Sequence, residues 1–91
     1  MKYLRCDWNH NSDQMPVTIY AEYTEDGWQT RKVEVFRNGS THYADEGVAT
    51  GDTGLSDQKT DFASVLKGSV SLSPAYITEA DFAEQWSRAT Q

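Results

Sequence analysis

The sequence predicts an α+β fold: an antiparallel β-meander of four to five strands with a C-terminal α-helix packed on one face. Short β-branched and aromatic segments alternate with turn residues through the first half of the chain, which is typical of consecutive antiparallel strands. Asn38-Gly39 between two apolar runs is the strongest hairpin signal. A helical spacing of apolar residues closes the chain. The 91 residues are expected to form a single domain, 1–91.

The first two predicted strands are 2–10 and 17–24. In the first strand, Leu4, Cys6 and Trp8 fall on one face, and this period-two alternation predicts a half-buried strand with that face inward. The second strand, VTIYAEYT, is rich in the residue types that favour strands. The Asn, Ser and Asp residues between the two strands predict a loop.

Two hairpins extend the sheet with strands at about 28–37 and 40–45. A two-residue turn at 26–27 pairs Glu22 with Arg31, an opposite-charge pair that fixes register, and pairs Tyr20 with Val33. A two-residue type I′ turn at 38–39 requires positive φ at both residues, which Asn and Gly tolerate. It pairs Val35 with His42, Glu34 with Tyr43 and Val33 with Ala44.

Residues 45–60 are rich in Gly, Asp and Thr and have no periodicity, so we expect a long loop of the kind that is functional or mobile in small domains. Residues 61–67 fit a short helix ending at Gly68, and a strand is the alternative. Residues 69–76 are expected to be extended, with Pro74 as a stop.

The C-terminal helix has well-defined start signals. Thr78 is the expected N-cap, with Asp81 three residues later as in a capping box. Ile77 and Phe82 occupy the positions of a hydrophobic staple. Phe82 and Trp86 are four residues apart and share one face, so both are expected to pack against the sheet.

Charge and cysteine content limit the functional classes. Eight basic against 14 acidic residues give a net charge of −6, which argues against direct nucleic-acid binding and against an anionic membrane surface, and permits a basic protein partner. The single cysteine, Cys6, cannot form an internal disulfide. No signal peptide or membrane span is expected, and we expect a cytoplasmic protein.

No candidate chemistry assembles from the motifs. His10 and His42 match no zinc spacing, and the acidic residues of the long loop lack the calcium-loop pattern. The glycines at 51 and 54 are not followed by a phosphate-binding lysine. Glu22 with Glu34 resembles a carboxylate pair for acid–base catalysis, but in the predicted register Glu22 is neutralised by Arg31. We therefore expect no catalytic residue, no cofactor and no metal.

Residues 1–44 resemble a family of small bacterial proteins of about 90 residues and unknown function. The resemblance lies in Met1-Lys2-Tyr3, Trp8-Asn9-His10, Tyr20-Ala21-Glu22, the block from Trp28 to Gly39 and Tyr43-Ala44. It continues weakly at Gly54-Leu55 and from Phe82 to Ala89, whereas Asp61 to Ser73 differ. The resemblance implies a single domain and assigns no catalytic residue.

These observations lead us to expect a small acidic, non-catalytic protein-binding module, most naturally an inhibitor such as a toxin-immunity protein or a phage anti-defence (anti-CRISPR-like) protein. Its acidic surface would steer association with a basic partner. One alternative is a small-ligand-binding protein or small hydrolase with a cleft beside Trp8, His10 and Trp28. Another is a homo-oligomer, such as a homodimer, that pairs exposed strand edges. The candidate protein-binding residues are Trp8, His10, Glu22, Trp28, Arg31, Asp45, Glu46 and Asp52.

Overall fold

The computed structural model describes residues 1–91 and confirms the α+β prediction. Five strands form one antiparallel sheet in the order β4-β3-β2-β1-β5. They are β1 (Lys2–Trp8), β2 (Thr18–Tyr23), β3 (Gln29–Val35), β4 (Thr41–Ala44) and β5 (Leu72–Tyr76). A short helix α1 (Phe62–Val65) precedes β5, and α2 (Glu79–Thr90) follows it. Neither helix has the length and apolar character needed to cross a membrane.

Each face of the sheet has its own apolar cluster. On the face covered by α2, Tyr3, Tyr20 and Val33 surround Phe82, which is completely buried. On the opposite face, Leu4 and its neighbours pack against α1. That second cluster consists of Leu4, Ala21 and Tyr23, with Phe62 and Leu66 against it. Of the predicted inward face of β1, Leu4 is buried in this second cluster, whereas Cys6 and Trp8 are only partly buried. Alternation alone does not predict which face α2 covers, because both faces of β1 carry apolar residues.

The β2–β3 hairpin has the predicted register but a different turn. Glu22 pairs with Arg31 and Tyr20 with Val33. The loop has three residues, 25–27, closed by Thr24 N donating to Trp28 O at 2.8 Å. A β-bulge beyond Glu22 absorbs the additional residue. The additional loop residue and the bulge shift the register by one residue in opposite directions. The predicted pairs are therefore present.

The predicted register of the β3–β4 hairpin is wrong by one residue. Val35 pairs with Thr41, Glu34 with His42 and Val33 with Tyr43. Phe36 N donates to Ser40 O at 2.9 Å, so the loop again has three residues, and only its glycine has a positive φ. No bulge restores the count here, and the additional loop residue shifts every pair by one.

Pro74 does not stop the last strand as predicted. It lies in the middle of β5, opposite Cys6 of β1. This is compatible with its missing N–H because β5 is an edge strand. The helical alternative for residues 61–67 is confirmed by α1, whose N-cap is Asp61.

The start of α2 follows the predicted signals. Thr78 Oγ1 accepts a hydrogen bond from Asp81 N at 3.1 Å, and the Asp81 carboxylate accepts one from Thr78 N at 3.2 Å. This completes the capping box. Ile77 and Trp86 pack against the cluster that contains Phe82, so the predicted inward face of the helix is confirmed.

The long loop after β4 lies along the sheet and is tied to β3 and the preceding turn. Lys32 Nζ donates to Gly54 O at 3.0 Å, and Gln29 Oε1 accepts from Ser56 N at 2.8 Å. Thr60 N donates to the carbonyl of Gly27 at 2.9 Å. These bonds hold the loop against β3 and the β2–β3 turn.

Candidate functional site

A row of polar side chains crosses the α2-covered face near the β2–β3 turn. Tyr3 pairs with Glu22 across β1 and β2, and Glu22 pairs with Arg31 across β2 and β3. Asp45 directly follows Ala44, the partner of Lys32, which places it level with Arg31 at the edge of the sheet. The antiparallel registers thus bring four residues from distant parts of the sequence side by side.

Glu22 and Arg31 form a buried ion pair at the centre of this row. Glu22 is only 6% exposed, and its carboxylate accepts hydrogen bonds from Arg31 Nε at 2.9 Å, from Arg31 Nη2 and from Thr30 Oγ1 at 2.7 Å. The guanidinium carbon of Arg31 lies 5.0 Å from the ring centroids of both Phe82 and Trp86. The pair therefore attaches α2 to the sheet through a bidentate bond on one side and two aromatic rings on the other.

The same contacts set the ionisation of the row. Hydrogen bonding from Arg31 holds the pKa of the Glu22 carboxyl below its usual value, against the opposing effect of burial. The pKa of Arg31 is raised, chiefly by its bond to Glu22. Burial raises the pKa of Tyr3, and the negative charge of Glu22 adds to that effect. Glu22 is thus an ionised, fully engaged carboxylate, which suits a structural role better than proton transfer.

An open groove of about 600 Å³ borders this row. We call it the hairpin-end groove. Its wall opposite the ion pair is the 45–48 turn, in which Asp45 Oδ1 accepts from Gly47 N at 2.8 Å and Val48 N at 2.9 Å. The lining residues are Met1, Glu22, Thr30, Arg31, Asp45, Glu46, Gly47 and Val48.

Exposed apolar side chains occur at the same end of the molecule. Met1 is 55% exposed and Val48 is 51% exposed, and both line the groove. Trp28 is 45% exposed, and its backbone carbonyl accepts a hydrogen bond from Thr24 N across the β2–β3 hairpin. Lys2 pairs with Tyr23, so the residue that precedes β1, Met1, lies level with Thr24. The order across the neighbouring strands is therefore Met1, Thr24 and Trp28, with about 5 Å between adjacent strands.

Carboxylates surround this apolar end. Glu25 lies in the hairpin turn and binds the N-terminal amine of Met1 at 2.9 Å. Asp26 follows it, and its pKa is lowered chiefly by a hydrogen bond from Thr24. Glu46 on the facing turn is exposed. Arg31 is neutralised by Glu22, and the N-terminal amine is neutralised by Glu25. The negative character of this end of the molecule therefore depends on Asp26, Asp45 and Glu46.

Five of the eight candidate residues therefore lie at one end of the sheet: Glu22, Trp28, Arg31, Asp45 and Glu46. Trp28 lies beside the groove without lining it, and the other four line it. The remaining lining residues, which the sequence did not predict, are Met1, Thr30, Gly47 and Val48. Thr30 is brought to Glu22 by the β-bulge, which has no signal in the sequence. Met1 and Val48 are isolated apolar residues next to turns, and only the fold places them together.

Trp8 and His10 lie elsewhere, so the predicted cleft shared with Trp28 is wrong. Trp8 ends β1 beside Val17, whereas Trp28 is level with the start of β1. The length of β1 separates them by roughly 20 Å. His10 packs edge-on against Trp8, with 4.7 Å between ring centroids.

His10 has a structural role in the loop between β1 and β2. Its Nε2 lies 2.7 Å from Pro16 O, and its Nδ1 accepts from Ser12 N at 3.1 Å. Because a carbonyl only accepts, Nε2 carries the proton and both ring nitrogens are engaged. His10 thus fixes the loop conformation rather than facing an open cleft.

The last candidate residue, Asp52, lies on the opposite face of the sheet. It borders a second groove of about 420 Å³, together with Met15, Glu34 and His42. The His42 Nδ1 lies 3.3 Å from Thr50 Oγ1. No group of three or more His, Cys, Asp or Glu side chains in the protein has the arrangement to hold a metal ion.

Comparison with known proteins identifies a family. A family model described as Domain of unknown function (DUF6881) matches residues 2–91. No curated protein and no solved structure matches the chain. The match covers nearly all of the sequence and agrees with the resemblance found in residues 1–44.

Proposed function

Since this chain belongs to the DUF6881 family, whose description names no activity, we propose a function from the groove itself: a small acidic, non-catalytic module that binds a basic protein partner through the hairpin-end groove. The observation that carries the proposal is the combination of exposed apolar side chains with a rim of carboxylates at one end of the sheet. Protein interfaces commonly have an apolar centre with a polar rim.

The apolar centre supplies the anchoring contacts. Trp28 is the strongest candidate anchor because tryptophan is enriched among the residues that dominate binding energy. Met1 and Val48 extend the contact surface, and methionine adapts its shape to different partners. All three are about half exposed, so a partner can cover them without unfolding the module.

The carboxylate rim supplies charge complementarity. Asp26 and Glu46 are exposed at this end of the molecule, and the whole chain carries a net charge of −6. Such a field accelerates encounter with a positively charged site and disfavours acidic competitors. An inhibitor that blocks the basic substrate-binding surface of a toxin or of a defence complex would use this complementarity. A cytoplasmic site of action is part of this proposal.

The test is capture from a cell extract with a tagged protein, comparing wild type with Glu46→Lys. Glu46 is exposed and makes none of the hydrogen bonds or ion pairs of the fold. Charge reversal there should weaken capture of one defined basic partner by about tenfold or more. Asp57→Lys is the matched control, because it makes the same charge change in an exposed loop position outside the groove.

Two further measurements sharpen the result. Trp28→Ala should also weaken binding by at least tenfold, as expected for an anchor residue. Raising the salt to about 0.5 M should release the partner, because it screens the long-range attraction. If Glu46→Lys and Trp28→Ala capture the same partner as tightly as wild type, the groove is not the binding surface.

A further inference from the structure

An ammonium group lies against aromatic rings on the face of the sheet opposite the groove. Lys2 Nζ lies 5.3 Å from the ring centroid of Phe62 and 5.4 Å from that of Tyr76. Lys2 forms no ion pair within 4.0 Å and no hydrogen bond, whereas Lys32 on the same face has both Glu34 and a backbone carbonyl. The Lys2 ammonium group is thus held by cation–π attraction to the faces of these two rings.

Three separate elements build this ring cluster. Tyr23 lies on β2 directly opposite Lys2, and Tyr76 lies on β5 opposite Leu4. Phe62 is supplied by α1 and meets Tyr23 edge-on, with 5.4 Å between centroids. It lies 6.4 Å from Tyr76 at an interplanar angle of 43°. We call Tyr23, Phe62 and Tyr76 the aromatic cage.

One side of the cage is buried and the other is exposed to solvent. Tyr23 is 8% exposed and belongs to the apolar cluster under α1. Tyr76 is 49% exposed, so one wall faces solvent. Tyr23 therefore fixes the position of Phe62, and Phe62 and Tyr76 are the two rings whose faces contact the ammonium group. Aromatic faces of this kind bind organic cations.

We propose that the aromatic cage is a binding site for alkylammonium groups and that Lys2 occupies it in the free protein. A ligand with a primary or quaternary ammonium group enters by displacing the Lys2 side chain. This site uses none of the residues of the hairpin-end groove, so it stands or fails independently of the proposed function.

Exchange between Lys2 and a ligand determines the apparent affinity. Lys2 is tethered to β1 and competes at a high effective concentration. Replacing Lys2 by Ala removes the competitor and leaves all three rings in place. The apparent affinity for an added ammonium ligand should therefore rise by about tenfold in Lys2→Ala.

The test is an NMR titration with choline chloride, monitored at the ring protons of the cage in wild type and in Lys2→Ala. The uncharged carbon isostere of choline, dimethylbutanol, is the control for hydrophobic contact alone, and sodium chloride is the control for ionic strength. A parallel titration with Nα-acetyl-lysine methylamide distinguishes a lysine side chain from a free quaternary ammonium compound as the source. Phe62→Leu in the Lys2→Ala background removes the ring and keeps an apolar side chain.

Saturable shifts of the cage protons with choline or the lysine amide, stronger in Lys2→Ala and lost in Phe62→Leu, would support the site. Whichever of the two saturates at the lower concentration identifies the source. Equal shifts with dimethylbutanol, or no shifts in Lys2→Ala, would overturn it. A second measurement needs no variant: the ε-methylene protons of Lys2 should be shifted upfield by the ring currents in wild type, and a random-coil position would overturn the occupancy by Lys2.

Discussion

The buried pair of Glu22 and Arg31 is the residue-scale feature that joins the two layers of the protein. Arg31 binds the Glu22 carboxylate with one side of its guanidinium group and lies over Phe82 and Trp86 of α2 with its face. A lysine at this position would lack the planar group that makes both contacts at once. The sequence predicted the Glu22–Arg31 pairing from strand register, but the contact with the helix depends on how α2 crosses the sheet.

Glu22→Gln is expected to lower the free energy of unfolding by about 2 kcal/mol. Removing one member of a buried pair leaves the other charge uncompensated, and the loss is reduced here because the Arg31 side chain is 31% exposed. Urea unfolding measures the change. The control is Glu84→Gln, which breaks the exposed pair with Arg88 on α2 and should cost less than about 0.5 kcal/mol. Equal losses in the two variants would contradict the role of Glu22.

The acid dependence of stability should change in the same variant. The pKa of Glu22 is lower in the folded state than in the unfolded chain, where it is about 4.3. Unfolding below that pH takes up a proton, so this stabilisation is present above the unfolded pKa and is lost as the pH falls through the folded pKa. Glu22→Gln should therefore have a shallower decrease between about pH 5 and pH 3 than wild type. Urea unfolding across this range measures it, and parallel curves would contradict the prediction.

At the scale of elements, the two β-hairpins show how turn length determines register. Each predicted two-residue turn is a three-residue loop ending in a glycine with positive φ, Gly27 at 106° and Gly39 at 88°. Such loops are the next most common hairpin connection, and a dipeptide such as Asn38-Gly39 fits both types. The register of one hairpin was predicted because a bulge follows the turn, and the other was missed because no bulge does. Local residue preferences do not encode that difference.

Gly27 and Gly39 form a matched pair that tests the contact between the β2–β3 loop and Thr60. A Cβ at Gly27 would lie 2.3 Å from the backbone oxygen of Thr60, whereas a Cβ at Gly39 would meet nothing within 4 Å. Both substitutions force alanine into positive φ, at a cost of about 1–2 kcal/mol. Gly27→Ala must also displace Thr60, so we expect a total loss of about 3 kcal/mol against about 1 kcal/mol for Gly39→Ala. Thermal unfolding compares them, and equal losses would show that the long loop is not held against the turn.

At the scale of the whole molecule, the sequence predicted the sheet and the helix better than it predicted the site. Glu22, Arg31 and Asp45 meet because consecutive antiparallel strands place distant residues level with one another. The same geometry separates Trp8 from Trp28 by the length of a strand, which similarity of residue type does not reveal. The convergence of Met1 and Val48 on this end depends on the paths of the chain start and of the 45–48 turn. The motif residues therefore predicted several of the residues that lie at this end of the sheet, but not the distances between them.

Both outer edges of the sheet are protected from pairing, which bears on the homo-oligomer alternative. Beside β4, Tyr43 O accepts from Thr50 N at 3.0 Å, and Tyr43 N donates to Thr50 Oγ1 at 2.9 Å. On β5, the hydrogen bonds of Ser71 and Ile77 point toward β1, so Leu72, Pro74 and Tyr76 direct their backbone groups outward. Leu72 O accepts from Ser69 N at 3.0 Å, and Pro74 has no N–H to offer. The outward groups of Tyr76 have no such partner, but neither edge offers an unbroken row of free backbone groups, and interrupted edges of this kind disfavour sheet extension.

Wild type is therefore expected to be a monomer of 10.3 kDa in static light scattering, even at about millimolar concentration, because neither edge presents the row of free backbone groups that strand pairing needs. Pro74→Val restores an outward N–H in the middle of β5 and should shift the protein toward dimers with rising concentration. Ala75→Val adds the same β-branched side chain at the next position, whose N–H faces β1, and should remain monomeric. A wild-type dimer whose stability is unaffected by either substitution would show that self-association uses a face of the sheet rather than its edge. That result would support the homo-oligomer as the alternative to the protein-binding groove.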